Sequence, residues 1–250
     1  MRDTEPFSFR GDDNGVLVLH GFTGSTQSVR YFGSELHRRF GYTVEGPCLP
    51  GHGTTPDDME KTGYRDWLGE AERALHDLAS RCARVFVTGL SMGATISLNL
   101  AARFPDEVQA VASIAGPVGL MNDGTASLLM ANPRPRRVPG LGSDIKAPGV
   151  KEIAYEEVPV ACLDQVTTLV AITRDLLHRV ACPALVVHAR EDHVIPPGNA
   201  LEIARVVSSD DVRLVWLNNS YHVATLDNDK DLVVERVGGF FAEWRARSRP

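Results

Sequence analysis

The chain has 250 residues, 43% of them hydrophobic and 23% charged, with a formal net charge of −6; that is ample for one large core and argues against two independent domains. Acidic and basic residues are interspersed, which excludes the electrostatic footprint of a nucleic-acid binder or of attraction to an anionic membrane, and favours a small neutral or hydrophobic ligand. No segment has the apolar length of a signal peptide or a membrane span, so a soluble, cytoplasmic protein without stable membrane insertion is expected, and the well-separated Cys48, Cys82, Cys162 and Cys182 read as free thiols rather than disulfides or a metal site.

Phe7 and Phe9 alternate with polar neighbours and suggest a short edge strand. Gly15 to His20 is a continuous apolar strand running into Gly21-Phe-Thr-Gly-Ser25, a loop with two glycines where backbone can approach a ligand closely. Thr26 to Phe40 carries Val29, Phe32, Leu36 and Phe40 at helical spacing, with Gly41 as the stop. Tyr42 to Cys48 is a second strand, Leu49 to Pro56 a rigid glycine-rich loop, and Tyr64 to Arg81 an amphipathic helix. Arg84 to Thr88 is then a strand buried on both faces, and Gly89-Leu-Ser-Met-Gly93 joins it to a small-residue helix from Ala94.

Val108 to Ile114 is a further strand, closed by Gly116-Pro117. From residue 117 to 180 the alternation of strand and helix lapses: Asn132 to Gly142 is too rich in proline and glycine for either element, and Val160 to Val180 places its apolar residues on one helical face. We read 117–180 as a cap insertion into a core made of 1–116 and 181–250. The core resumes with the strand Pro183 to His188, a loop through Pro197, a helix near Asn199 to Val207, the strand Val212 to Leu217, a loop holding His222, and a last amphipathic helix. Strands alternating with helices give an α/β fold, a mostly parallel central sheet flanked by helices.

Gly-x-Ser-x-Gly between strand and helix implies a turn so tight that only glycine fits on either side of the serine, and it leaves the Ser91 hydroxyl at a helix N-terminus. There the Met92 N–H is free to donate to an oxyanion, with the Phe22 N–H as the other half of that hole. A serine hydroxyl needs a base, and the base an acceptor to orient it. Asp192 follows one late strand and His222 the next, so Ser91, Asp192 and His222 meet at one sheet edge in that chain order. Glu191 competes with Asp192, and His188 and His193 with His222; His188 lies within a strand and His193 shares the acidic loop. His20 and His52 precede the serine and are read as packing and turn-shaping residues. No cofactor and no metal are called for.

His20-Gly-Phe-Thr-Gly-Ser25, Gly51-His-Gly-Thr54, Gly89-Leu-Ser-Met-Gly93, Glu191-Asp-His-Val-Ile-Pro-Pro-Gly-Asn-Ala200 and Asn219-Ser-Tyr-His-Val-Ala-Thr-Leu-Asp227 together resemble the bacterial monoacylglycerol lipases and small thermostable-type carboxylesterases of the α/β-hydrolase family. The likeness covers nearly the whole chain. It implies Ser91, Asp192 and His222 as a catalytic triad, Phe22 and Met92 as oxyanion donors, and a small cap over an acyl pocket. It further implies that Glu152, in the cap, holds the glycerol moiety. The chain departs from the family at Ala94, where a third glycine is usual, and in the Arg-rich stretch Arg134 to Arg137. The expected activity is serine ester hydrolysis through an acyl-enzyme, on monoacylglycerols or similar medium-chain monoesters. Phthalate monoesters, thioesters, lactones or C–C bonds are alternative targets of the same triad, and a non-catalytic ligand sensor is the rival outside enzymology.

Overall fold

The computed structural model describes Met1 and residues 3–119, 123–140 and 142–245; Leu120 to Asn122 and Leu141, which belong to the expected cap, lie outside the described residues. In chain order the elements are β1 (Phe7–Phe9), β2 (Asn14–Leu19), α1 (Gln27–Phe40), β3 (Thr43–Gly46), α2 (Pro56–Met59), α3 (Tyr64–Ala79), β4 (Arg84–Leu90), α4 (Met92–Arg103), β5 (Val108–Ile114), α5 (Asp123–Met130), β6 (Arg137–Pro139), β7 (Glu157–Pro159), α6 (Val160–Leu176), β8 (Ala184–Ala189), α7 (Gly198–Val206), β9 (Val212–Leu217) and α8 (Lys230–Trp244). A 3₁₀ turn, Leu177–Arg179, ends α6. As the sequence suggests, α1 stops at Gly41, whose φ of 77° lets its N–H reach back to the His37 carbonyl at 2.8 Å.

Seven strands form one sheet in the order β1-β3-β2-β4-β5-β8-β9. Only the edge strand β1 runs antiparallel, Ser8 lying opposite Glu45; every other neighbouring pair in that sheet is parallel. The apolar runs noted in the sequence are what such a sheet needs, since both faces are covered. Along β2, Val16 and Val18 pack with α1 and α8 residues such as Phe32 and Phe241 on one face. Leu17 and Leu19 face the opposite way, into the layer of α3, α4, α6 and α7 that includes Trp67, Leu75, Ile96 and Ile203. From β2 the chain first steps outward to β3 and then returns to add β4 on the other side of β2. The winding direction reverses there, so a crevice opens at the C-terminal ends of β2 and β4. The loop of Phe22 and the turn of Ser91 flank that crevice.

Two features of 117–180 differ from the sequence reading. The stretch Asn132 to Gly142 does form an element: β6 pairs antiparallel with β7, Val138 opposite Val158. Arg136 and Arg137 on this ribbon make ion pairs with Glu60 and Asp57 around α2, with Arg136 Nη2 2.6 Å from Glu60 Oε2. A two-stranded ribbon held from outside by charge carries little apolar alternation to be read. The second difference is α6, whose apolar surface serves two purposes. Leu169 of α6, together with Leu177 and Val180 just beyond its end, is fully buried in the core layer beside α4, and Thr173 Oγ1 accepts a hydrogen bond from Asn99 Nδ2 at 3.1 Å. The far end of this helix is therefore part of the core packing, not an appendage.

Candidate active site

The turn between β4 and α4 holds Ser91 at φ 56° and ψ −119°, a conformation that costs a non-glycine residue about 1–3 kcal/mol. The surroundings enforce it. The Ser91 N–H is bonded to Ile114 O at 2.9 Å, and its carbonyl accepts the N–H groups of Ala94 and Thr95 at 2.9 and 3.1 Å, opening the helix. Glycine is required on both sides: a Cβ on Gly89 would lie 2.4 Å from the Gly93 carbonyl carbon, and one on Gly93 would lie 2.2 Å from Leu19 O. So β2, β4 and α4 meet backbone to backbone, and the hydroxyl is left at the positive end of α4.

His222 Nδ1 lies 2.8 Å from Asp192 Oδ2, both residues buried. With Nδ1–H donating to the carboxylate, Nε2 is the nitrogen left to accept a proton. Asp192 Oδ1 accepts the backbone N–H groups of Val194 and Ile195 at 2.9 and 2.7 Å. His188 Nε2 also approaches Asp192 Oδ2, at 3.3 Å, a contact the sequence does not announce. Burial opposes ionisation of Asp192, but the attraction of His222 and the hydrogen bonds from His188, His222 and Ile195 outweigh it, so its carboxyl titrates well below the usual aspartate range. Burial likewise opposes charging of His222, and the Asp192 carboxylate overcomes it, with Glu152 and Asp144 adding to the same effect; the imidazole pKa is raised. Two of the competitors, Glu191 and His193, lie elsewhere. Glu191 is exposed and paired with Lys146 Nζ at 2.6 Å, and the exposed His193 bonds Asp144 Oδ1 through Nδ1 at 2.8 Å.

Gly21 is packed against the serine, with room for a Cβ only 3.3 Å from Ser91 Cβ. This brings the next N–H, that of Phe22, to the same crevice as the N–H of Met92, the first residue of α4. Among the described residues neither N–H has an acceptor. His20 lies fully buried beneath the loop: its Nε2 accepts the Leu49 N–H at 3.0 Å, so Nδ1 carries the hydrogen and donates to Gly21 O at 2.9 Å. Burial lowers its pKa to about 4, keeping that tautomer neutral. His52 is buried beside it, its ring centroid 5.0 Å from that of His20, bonds Pro50 O through Nδ1 at 3.1 Å, and is lowered to about 3 by burial. Both histidines are structural supports of loops.

Ser91, His222, Phe22 and Met92 all line one cavity of about 950 Å³, its open mouth included, walled on the 117–180 side by Leu163, Val166 and Val170 of α6. Glu152 lines it too, its Oε1 lying 2.6 Å from where a Gly24 Cβ would be, so Gly24 makes room for the carboxyl. Burial raises the Glu152 pKa to about 7 against the opposing pull of His222 and the Ser28 hydroxyl. Two contacts made by the 117–180 segment are not legible in the sequence. Asp144 lines the cavity and accepts the His222 backbone N–H at 3.1 Å, and Tyr155 donates its N–H to Thr23 O at 3.2 Å and its hydroxyl to Gly51 O at 2.7 Å.

A strand-turn-helix serine at the reversal of a doubly wound sheet, with a histidine and an aspartate on the next loops along the same edge, is the architecture of the α/β hydrolases. Residues 16–236 match the family model described as "Alpha/beta hydrolase family", and the chain belongs to that family. It is 44% identical over 243 residues to the thermostable monoacylglycerol lipase of Bacillus sp. (strain H-257), covering 97% of this chain and 96% of that protein. It is 33% identical over 239 residues to a carboxylesterase of Bacillus subtilis (strain 168), covering 94% and 95% respectively. Among solved structures, one from work on two metagenome-derived lipolytic enzymes, LipS and LipT, superposes with a TM-score of 0.93 at 43% identity, over 97% of this chain and 99% of that one. Among the described residues no helix is long and apolar enough to cross a membrane.

Proposed function

We propose that the protein hydrolyses carboxylic esters through an acyl-enzyme and that its substrates are monoacylglycerols and similar medium-chain monoesters. Ser91 is the nucleophile. As its Oγ bonds to the ester carbonyl carbon, His222 Nε2 takes the hydroxyl proton, and the carbonyl oxygen gains negative charge between the N–H groups of Phe22 and Met92. Asp192 orients the imidazole and balances its charge. The imidazolium then protonates the departing alcohol oxygen, and a water, deprotonated by His222, releases the acid and restores Ser91.

The observation that carries this reading is the shared cavity, in which Ser91, His222 and both free N–H groups face one apolar wall. Leu163, Val166 and Val170 suit an acyl chain, so 117–180 acts as the cap over it. Glu152 lines the same cavity. With its carboxyl near half-protonation at neutral pH, it both donates to and accepts from a glycerol hydroxyl. The identities to a monoacylglycerol lipase and a carboxylesterase support the substrate class. The four unpaired cysteines fit a reducing, cytoplasmic compartment.

A fluorophosphonate should label the wild type at Ser91 and leave the folded Ser91→Ala variant unlabelled and without esterase activity. Rates on monoacylglycerols, p-nitrophenyl esters of rising chain length, thioesters and phthalate monoesters then define the substrate. Labelling at another residue with activity intact, or faster turnover of thioesters than of monoacylglycerols, would contradict the proposal.

A further inference from the structure

We infer that Asp144, contributed by the 117–180 segment, is a positioning residue for the catalytic base: it clamps the His222 backbone to the Asp192 loop and adds a further carboxylate near the imidazolium. The inference rests on the assignment of His222 as base. The Asp144 Oδ2 atom accepts two backbone N–H groups, from His222 at 3.1 Å and from His193 at 3.2 Å. These belong to the two separate loops that carry the base and its acid. Oδ1 is occupied by His193 Nδ1 at 2.8 Å, and the Asp144 carbonyl accepts the Val223 N–H at 3.1 Å. The side chain is only 14% exposed and borders the reaction cavity.

Neighbouring bonds reinforce the clamp from behind. Asp227 accepts the N–H groups of Lys146 and Ala147 at 2.7 and 2.8 Å, and its Oδ2 also takes that of Tyr221 at 2.8 Å. The base is therefore laced to residues 144–147 on both sides of its own position. Removing the Asp144 carboxylate leaves the His222 N–H without an acceptor and unties the two loops, and a displacement of about 1 Å at a base is enough to cost roughly a hundredfold in rate. The charge acts separately. During attack the proton moves from Ser91 Oγ to His222 Nε2, and a fixed carboxylate nearby favours the imidazolium. The charged and titratable groups around the imidazole are Asp192 on Nδ1, Glu152 across the cavity and Asp144 behind the loop. His188 lies on Asp192, and His193 is held between Asp144 and the Tyr221 ring, centroids 4.5 Å apart. The Lys146–Glu191 pair flanks the acid loop.

The two roles separate in two variants. Asp144→Asn keeps an oxygen acceptor but loses the charge, whereas Asp144→Ala loses both. We would measure kcat and KM for p-nitrophenyl butyrate from pH 5 to 9, alongside fluorophosphonate labelling of Ser91. For Asp144→Asn the acid limb of kcat/KM should move down by about half to one pH unit, with the plateau within about fivefold of wild type. For Asp144→Ala the plateau kcat should fall about ten- to a hundredfold with KM little changed. Should Asp144→Ala not fold, the Asn variant decides alone. Either an unmoved acid limb in Asp144→Asn, as a merely structural role would give, or a wild-type plateau in Asp144→Ala overturns the inference. Neither result disturbs the triad, whose failure would show separately as fluorophosphonate labelling at a residue other than Ser91.

Discussion

Replacing Ser91 by glycine should make the protein more stable. Ser91 occupies φ 56°, ψ −119°, held there by bonds to Ile114, Ala94 and Thr95 that involve only its backbone. Its side chain contributes nothing to the turn and carries the whole steric cost, about 1–3 kcal/mol. Glycine adopts the conformation freely, at an expense of about 0.5–1 kcal/mol for its greater freedom when unfolded. The expected net gain is up to about 2.5 kcal/mol, about 1 at the middle of the two ranges, and for a chain of this size each kcal/mol raises Tm by about 2–4 °C. Alanine is the internal reference, because it removes the hydroxyl but keeps the Cβ. Urea midpoints and calorimetric Tm of wild type, Ser91→Ala and Ser91→Gly give the comparison directly. Both variants should be inactive, and only the glycine variant should be stabilised beyond the alanine one. Equal stability of the two variants would refute strain as a cost borne at this residue.

Asp192→Asn should lower kcat/KM by about 10³–10⁴-fold, because the imidazole loses both its tautomer control and its counter-charge. The acid limb of the residual activity should shift to lower pH, since the carboxylate that raises the His222 pKa is gone; an unshifted limb in the pH–rate profile would contradict the assignment. Glu152→Gln should raise KM for monoacylglycerols by about five- to fiftyfold while leaving p-nitrophenyl butyrate within about threefold, the signature of lost alcohol-side binding. The same variant tests linkage. A carboxyl at about 7 in the folded protein against 4.5 unfolded keeps its proton in the native state longer, so its contribution to stability declines as pH rises from about 4.5 to 7, by about 3 kcal/mol. Chemical denaturation should show that slope in wild type and its loss in Glu152→Gln. Val166→Phe, on the cavity wall, should penalise decanoate esters by about 1–3 kcal/mol in transition-state binding and leave acetate within about twofold. Equal slowing of all chain lengths in a p-nitrophenyl ester series would remove this wall as the chain-length gauge.

Features set by local sequence were readable in advance, and those set by distant backbone were not. Gly89, Ser91 and Gly93 announce their turn because the sterics act within five residues, and the apolar runs Val16 to Leu19 and Val85 to Val87 announce buried parallel strands because both faces are covered. The meeting of Asp192 and His222 followed from each sitting after a late strand of one sheet. Asp144 gave no signal: it is an aspartate in a loop, its partner the backbone N–H of a residue 78 positions later. Tyr155 is comparable, its hydroxyl bonded to a carbonyl 104 positions earlier. Three-residue strands such as β6 and β7 are too short for alternation to register, and Pro139 and Pro159 at their ends argue locally against pairing. The apolar face of α6 was visible, but the point at which it passes from pocket wall to core depends on where α4 lies.

The double use of α6 has a consequence for engineering and for divergence. Val170 borders the Ser91 cavity while its neighbour Leu169 is fully buried among the core residues beside α4. Substitutions that reshape the acyl site from this helix therefore draw on the same packing that holds the α4 layer together, and substrate range and thermal tolerance are not free to drift separately. A graft that exchanges the 117–180 segment has a natural seam ahead of Leu169, in the first half of α6. Cutting instead at the return to β8 would carry Leu169, Thr173, Leu177 and Val180 out of the host core and replace them with side chains shaped to another scaffold.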